Sequence, residues 1–177
     1  MKFMQTATIR AEKVTKHQKD FDAVQKLYEN AFPPKERIPL KHLLYHMGRG
    51  GEFLAFYDGS LFLGFACLLS QGDITNIMYL AVDESQRGKG YGAGILEAVQ
   101  NRRPQNRIVL DIEAVEREAD NYRQRESRRS FYIRNGYVPA GIAYRWRQVP
   151  YEILIHGGDI TEEEFWNFWR TFRRGRP

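Results

Sequence analysis

The chain has 177 residues, 42% of them hydrophobic, with 27 Lys and Arg against 22 Asp and Glu and a net charge of +5. That length suits one compact domain, burying about two-thirds of the surface its unfolded chain exposes. The modest basic excess favours anions, a phosphorylated cofactor included. It does not mark a nucleic-acid binder, because the basic clusters at 102–103, 123–129 and 170–176 lie between acidic stretches such as Glu113, Glu116, Glu118 and Asp120.

A single cysteine, Cys67, has no internal disulfide partner. It lies in the apolar run LFLGFACLLS at 61–70 with no basic neighbour, so an inert buried thiol is expected. The opening MKFMQTATIR lacks the apolar region of a secretory leader, and no apolar run reaches the roughly 18 residues a membrane span needs. A cytoplasmic protein without membrane or nucleic-acid partners is therefore expected.

In chain order, residues 6–10 read as a short first strand. Asp20 is positioned to cap a helix whose apolar residues Phe21, Val24, Leu27, Tyr28 and Ala31 recur at spacings of three and four, and Pro33-Pro34 stops it. A second short helix is expected at 39–47. EFLAFY at 52–57 and LFLGFACLLS are joined by Asp58-Gly59, a hairpin signal that predicts antiparallel pairing. Ile74 to Val82 is a third strand of mostly apolar residues suited to a sheet centre. AGILEAVQNRR then forms a helix ending before Pro104, and RIVLDIEAV at 107–115 a strand; strand, helix, strand implies a parallel pair. After a charged segment, a helix runs through SRRSFYIRN and is closed by Gly136, with strands near 137–147 and 150–156. Thr161 and Glu164 form a capping box for a last helix carrying the stripe Phe165, Phe168, Trp169 and Phe172. The expected fold class is α/β, a mixed sheet of about six to seven strands flanked by helices. The main domain spans 1–158. Residues 159–177, an amphipathic helix with a basic tail, belong to the same domain or make a contact in a homodimer.

The chemistry is concentrated in VDESQRGKGYGAGIL at 82–96, where Gly88, Gly90 and Gly92 lie between a strand and a helix. Glycines let successive backbone N–H groups converge on one anion, and the helix adds its positive N-terminal end. Arg87 and Lys89 supply charge at the same place, with Tyr91 between the last two glycines. A Walker A loop is excluded, since no G-x-x-x-x-G-K-[ST] occurs. A dinucleotide fingerprint is met by Gly88, Gly90 and Ala93, with Asp111 and Glu113 about 20 residues downstream, and it leaves an NAD(P)-binding oxidoreductase as an alternative. That fingerprint belongs in the first turn of a parallel sheet, whereas this loop follows an antiparallel run.

Arg87, Gly90 and Gly92 also meet R-x-x-G-x-G directly after a strand, and here the chain resembles the GNAT superfamily of N-acetyltransferases. FYIRNGYV at 131–138 is similar to the family's aromatic-Tyr-x-x-x-Gly-aromatic signature, and the likeness covers roughly residues 7–156. It implies an acetyl-CoA-dependent N-acetyltransferase acting by direct attack of a primary amine on the thioester, with no metal. It implies that residues 87–92 hold the pyrophosphate and that a backbone N–H of Leu80, Ala81 or Val82 meets the thioester carbonyl. Tyr132 stands where the family has the Tyr that protonates the leaving sulfur. A non-catalytic CoA-binding module is a second alternative.

For the general base the residues offer Glu113 first and Asp111 second. The two share one strand face with Val109 and Val115, where partial desolvation would raise a carboxyl pKa. Glu113 as a structural partner of an Arg from 123–129, or an ordered water as base, are the competing readings. The family's Asn seven residues before the Tyr is here Arg125, and its small residue four before is Arg128. Arg125, Arg128 or Arg129 either meets the cofactor's phosphates in place of that Asn or lies on a solvated helix face. His42 and His46, spaced i, i+4, lack the accompanying glutamate of a zinc helix and read as surface or acceptor-groove residues. The sequence carries no code for the acceptor amine.

Overall fold

The alternation of apolar runs with Asp, Gly and Pro punctuation becomes a mixed sheet with helices. A computed structural model of the chain describes residues 8–46 and 50–174. In chain order its elements are β1 (Arg10–Lys13), α1 (Phe21–Ala31), α2 (Leu40–His46), β2 (Gly51–Asp58), β3 (Leu61–Gln71), β4 (Ile74–Val82), a 3₁₀ turn (Glu84–Gln86) and α3 (Tyr91–Arg102). They continue with β5 (Arg107–Glu113), α4 (Tyr122–Arg134), β6 (Val138–Trp146), β7 (Val149–His156) and α5 (Glu162–Arg174). The seven strands are ordered β1-β2-β3-β4-β5-β7-β6. By packing, the chain divides into two compact units, Met1–Leu69 with Met78–Pro104 and Ser70–Ile77 with Gln105–Pro177, so β4 contributes to both. Among the described residues no helix is long and apolar enough to cross a membrane.

In the first unit β1 pairs antiparallel with β2, and β2 with β3 around Asp58-Gly59, where Gly59 takes a φ of +57°. Phe53 to Tyr57, Leu63 and Phe65 to Leu68 are all buried, so β2 and β3 are covered on both faces. One face carries Phe53 and Phe65 and receives α1, whose Tyr28 ring lies 5.9 Å from Phe65 and 5.2 Å from Tyr79. The Tyr28 hydroxyl donates to the Ile38 carbonyl (2.8 Å) and accepts from the Ile38 N–H (3.1 Å), which ties the segment after Pro33-Pro34 back onto the helix. The opposite face of β2 carries Glu52 and Leu54, and α3 is fastened along it. The Tyr91 hydroxyl at its start donates to Asp58 Oδ2 (2.9 Å), and Arg102 at its end donates to Glu52 Oε1 (2.5 and 3.0 Å). Cys67 is fully buried, and burial raises its thiol pKa, as its apolar neighbours led us to expect.

In the second unit the start of β4 pairs parallel with β5, from Ile74 opposite Arg107 to Asn76 opposite Val109. β5 then pairs antiparallel with β7 from Ile108/His156 to Glu113/Tyr151, and β6 pairs on the outer side of β7. The β6–β7 turn places Arg147 and Gln148 at φ +49° and +70°; with no glycine or asparagine there, this turn carries no local hairpin signal. Phe165 and Phe168 of α5 are buried within the chain itself.

Element boundaries differ in small ways from the sequence expectation. The first strand begins at Arg10 rather than spanning 6–10, and residues 6 and 7 lie outside the described residues, as do Met47 of the expected second helix and residues 175–176 of the last basic cluster. β5 ends at Glu113, two residues short of Val115, where the Ala114 N–H donates to the Pro150 carbonyl.

The capping box at α5 forms as expected: the Thr161 hydroxyl accepts from the Glu164 N–H (3.1 Å) and Glu164 Oε2 accepts from the Thr161 N–H (2.8 Å). Glu164 also pairs with Arg107 (3.1 Å). The Thr161 N–H bond first, and Arg107 second, hold the Glu164 carboxyl at about 2. A folded pKa below the unfolded one stabilises above the ordinary carboxylate range of about 4.3, and the effect is lost as pH falls through the folded value. Thermal denaturation across pH is therefore expected to show a Tm decline between about pH 4.5 and 2, and Glu164→Gln should flatten that decline while leaving its slope above pH 6 unchanged.

Candidate active site

The glycine loop leaves β4 through a 3₁₀ turn. Asp83 caps it, its Oδ1 accepting from the Ser85 N–H (3.0 Å), while its own N–H donates to the Leu63 carbonyl (2.8 Å) and so anchors the loop to β3. Gly88 and Gly90 take φ of +74° and +84°, a backbone that L side chains rarely adopt. Nothing lies within 4 Å of a Cβ built at either, so conformation rather than space requires glycine there. Gly90 is the N-cap of α3 and no side chain caps the helix start, so the first-turn N–H groups have no side-chain acceptor. The loop cations have local partners: Arg87 Nε donates to the Val82 carbonyl (3.2 Å) and Lys89 Nζ to Gln86 Oε1 (3.1 Å).

The strand feeding this loop is set by a contact the sequence did not announce. Gly64 stands where β3 bulges between the partners of Phe56 and Tyr57, and its backbone lies against β4. A Cβ on Gly64 would collide with the Ala81 carbonyl oxygen and sit 3.0 Å from Val82 Cα. The two strands approach closely at Ala81 and Val82.

In the second unit Tyr132 of α4 is buried at 7% exposure, edge-on to Phe131 (5.1 Å) and to Tyr137 (5.6 Å). Burial pushes its phenol up to about 12, with the Arg128 charge acting in the opposite direction. It is protonated throughout the neutral range. Gly136, at φ +86°, ends α4 and lets the chain turn directly into Tyr137 and β6.

Asp111 and Glu113 share the β5 face but differ in their partners. Glu113 Oε2 accepts from Asn121 Nδ2 (2.9 Å) and pairs with Arg125 (3.5 Å) and Arg128 (3.8 Å). Arg125, expected either at the cofactor or on a solvated face, is instead buried: Nε donates to Asn121 Oδ1 (2.7 Å) and Nη1 to the Ala114 carbonyl (3.0 Å). A guanidinium so placed joins α4 to the end of β5, and Glu113 is the carboxylate that neutralises it. Asp111 has no cation in this set. Its Oδ2 accepts from the Tyr144 hydroxyl (2.5 Å) and its Oδ1 from Asn76 Nδ2 (3.5 Å), and desolvation raises its pKa against both hydrogen bonds.

The model of the family described as "Acetyltransferase (GNAT) domain" matches residues 49–139, just over half of the chain. The chain belongs to the GNAT acetyltransferase family. No curated protein matches it in sequence. Among solved structures it is similar to a GNAT-family protein from Bacteroides thetaiotaomicron, with a TM-score of 0.77 at 20% identity over 94% of this chain and 97% of that one. It is similar to an aminoglycoside 6'-N-acetyltransferase complexed with coenzyme A (TM-score 0.65, 15% identity, 82% and 95% covered). It is also similar to the ribosomal-protein-S18-alanine N-acetyltransferase from Escherichia coli (0.64, 16%, 88% and 97%). At these identities the likeness is one of fold, and it matches the seven-stranded GNAT sheet. The family removes the dinucleotide-binding alternative.

Within this GNAT domain the first unit carries Leu80, Ala81, Val82, Arg87, Gly88, Lys89, Gly90, Tyr91 and Gly92 as one continuous strand-loop-helix, and the second carries Glu113, Arg125 and Tyr132. Sequence reasoning missed Gly64, which it read only as part of a core strand, and Asp58, which it read only as a turn residue although it anchors Tyr91. A lone glycine inside an apolar strand was the available signal for the first. Gly64→Ala is expected to destabilise the protein by about 2 kcal/mol through this collision. Urea denaturation measures it, and a change within about 0.5 kcal/mol would contradict the close approach.

Proposed function

We propose that this GNAT domain transfers an acetyl group from acetyl-CoA to a primary amine by direct attack on the thioester. The observation that carries this reading is the loop Arg87–Gly92: two left-handed glycines in front of an uncapped helix, inside the segment matched by the family. Such a backbone directs N–H groups at a pyrophosphate, and Arg87 and Lys89 need only exchange their carbonyl and amide partners for phosphate oxygens. For acetyl-CoA itself, the complex of an aminoglycoside acetyltransferase with coenzyme A is consistent at the level of fold.

The roles follow the family likeness residue by residue. A backbone N–H in Leu80–Val82 stabilises the oxyanion, whose geometry the Gly64 approach to Ala81 holds fixed. Tyr132 gives its proton to the departing sulfur. Its raised pKa, caused by burial, keeps the phenol protonated and so able to donate that proton. Arg125 we assign to the scaffold, since its donors are spent on Asn121 and Ala114.

Thermal shift with acetyl-CoA, CoA and NAD in separate samples tests the ligand. At a hundredfold excess over Kd, a ligand adds about 2.7 kcal/mol, and each kcal/mol moves Tm by about 2–4 °C at this chain length. A rise with both CoA species and none with NAD is expected; no rise with either CoA species would refute the loop assignment. With an accepted amine in hand, Tyr132→Phe should lower kcat by about 10²-fold while leaving the acetyl-CoA thermal shift unchanged. An unchanged kcat would remove Tyr132 from the reaction.

A further inference from the structure

The buried and part-buried arginines among the described residues are Arg37, Arg103, Arg107, Arg125, Arg128 and Arg129. All but Arg37 are paired with carboxylates: Arg103 with Glu52 (3.1 Å), Arg107 with Asp73 (3.0 Å) and Glu164 (3.1 Å), Arg125 and Arg128 with Glu113, and Arg129 with Glu152 (2.7 Å). The Arg37 guanidinium has no hydrogen-bond or ion-pair partner among the described residues, and its Nε is closed to solvent as well. A part-buried charge of this kind is costly unless something balances it.

The backbone that presents Arg37 is fixed on both sides. Pro33-Pro34 follow α1 and start a turn in which the Glu36 N–H donates to the Pro33 carbonyl (2.9 Å) and the Arg37 N–H to the Pro34 carbonyl (3.4 Å). The Glu36 carbonyl accepts from the Tyr79 hydroxyl of β4 (2.8 Å), and the Tyr28 hydroxyl of α1 holds both the N–H and the carbonyl of Ile38. Tyr79 directly precedes the stretch Leu80–Val82, and all of these residues belong to the first unit. Lys35, Arg37 and Lys41 outnumber Glu36 along 35–41, so the local charge favours an anion. The planar fork of a guanidinium matches a carboxylate through two parallel hydrogen bonds, and a carboxylate is the partner the chain gives its other part-buried arginines.

We propose that Arg37 binds a carboxylate of the acceptor, so that the acceptor is a primary amine that also carries a carboxylate. The proposal rests on the acetyltransferase reading above and adds its substrate class. The two Nη groups, which are not sealed as Nε is, donate to the carboxylate oxygens, and the anion supplies the countercharge that the fold does not. Holding the carboxylate on a segment tethered to Tyr79 leaves the amine end to reach the neighbouring Leu80–Val82. Arg37 takes no part in the transfer itself. It sets specificity, and its contribution is felt in the KM of the acceptor rather than in kcat. An amine with no carboxylate leaves the guanidinium unbalanced and is a poor acceptor. A free amino acid and a peptide with an acidic side chain share the required chemistry.

The test reads the guanidinium directly. In proton–nitrogen NMR of the isotopically labelled full chain, the Arg37 Nε–H resonance is identified by its loss in Arg37→Lys, or in Arg37→Gln if the first variant fails to fold. Titration with glutarate is expected to shift this resonance saturably, and glutaramide to leave it in place. No saturating shift, an equal shift with glutaramide, or half-saturation at a lower concentration of inorganic phosphate would overturn the site whatever acetyl-CoA does. Thiol release from acetyl-CoA is then measured with the L-amino acids, with short acidic peptides and with the amides of both. The KM of an accepted amino acid or peptide should lie about tenfold to a hundredfold below that of its amide, the range for a hydrogen bond to a charged group. Arg37→Gln should abolish that difference while leaving kcat within about twofold of wild type. Turnover of free amino acids alone identifies a small-molecule acceptor and of peptides alone a protein one, both supporting the class; amides with an equal or lower KM would overturn it. Failure of the acetyl-CoA thermal shift, by contrast, strikes the acetyltransferase reading and leaves the glutarate titration to be judged separately.

Discussion

The backbone of Gly64 lies so close to the carbonyl of Ala81 that no side chain fits between them, and the functional geometry of the first unit follows from that approach. β3 bulges at this point, which frees the Leu63 carbonyl to accept from the Asp83 N–H and fixes where the chain leaves β4. From Asp83 the path is short: a capped 3₁₀ turn, two left-handed glycines and the start of α3. α3 is then held at both ends by side chains of one β2 face, Asp58 and Glu52. A loop meant to present backbone N–H groups to an anion needs such external fixing, because glycines lose more conformational entropy on ordering than any other residue.

The second unit solves a different problem, how to place two carboxylates two residues apart on one strand and give them different chemistry. Glu113 sits at the strand end within reach of α4, so arginines neutralise it and its lone pairs go to Asn121 and the guanidinium groups. Asp111 sits one register step deeper, opposite Ile153, where the partners are neutral donors and aromatic rings. Burial then dominates and the pKa rises, although both hydrogen bonds favour the charged form. Small differences of position along β5 thus decide whether a carboxylate meets arginines or neutral donors.

Most of the fold could be read from the sequence because the relevant signals are local. The Asp58-Gly59 hairpin, the strand at Ile74–Val82, the helix closed by Gly136 and the Thr161–Glu164 capping box each depend on residues within a few positions of one another, and each is found in the structure. The glycine loop between β4 and α3 was legible as a turn for the same reason, and Gly88 and Gly90 take the left-handed backbone there. What escaped were long-range matters. Nothing near Gly64 announces Ala81, and nothing near Asp58 announces Tyr91. The β6–β7 hairpin turns through Arg147 and Gln148 in left-handed conformations that favour glycine or asparagine, so sheet pairing on either side overrides local preference there. The different partners of Asp111 and Glu113 likewise depend on which helix and strands meet β5, which neither residue's neighbours in sequence reveal.

Arg125 illustrates how a departure from a family pattern acquires its meaning. An arginine on a bare helix at this position would be free to meet phosphate, and charge alone favours that assignment. The structure offers it nearer partners: Asn121 one turn earlier, the Ala114 carbonyl beyond the end of β5, and Glu113. A buried guanidinium must have its donors and its charge satisfied, since leaving either unmet costs more than a surface contact returns. Once Arg125 is inside, Glu113 is the carboxylate that balances its charge. The arginine and Glu113 therefore form one ion-paired joint between α4 and the end of β5, while Asp111 on the same strand face takes neutral hydrogen-bond donors from Tyr144 and Asn76 instead.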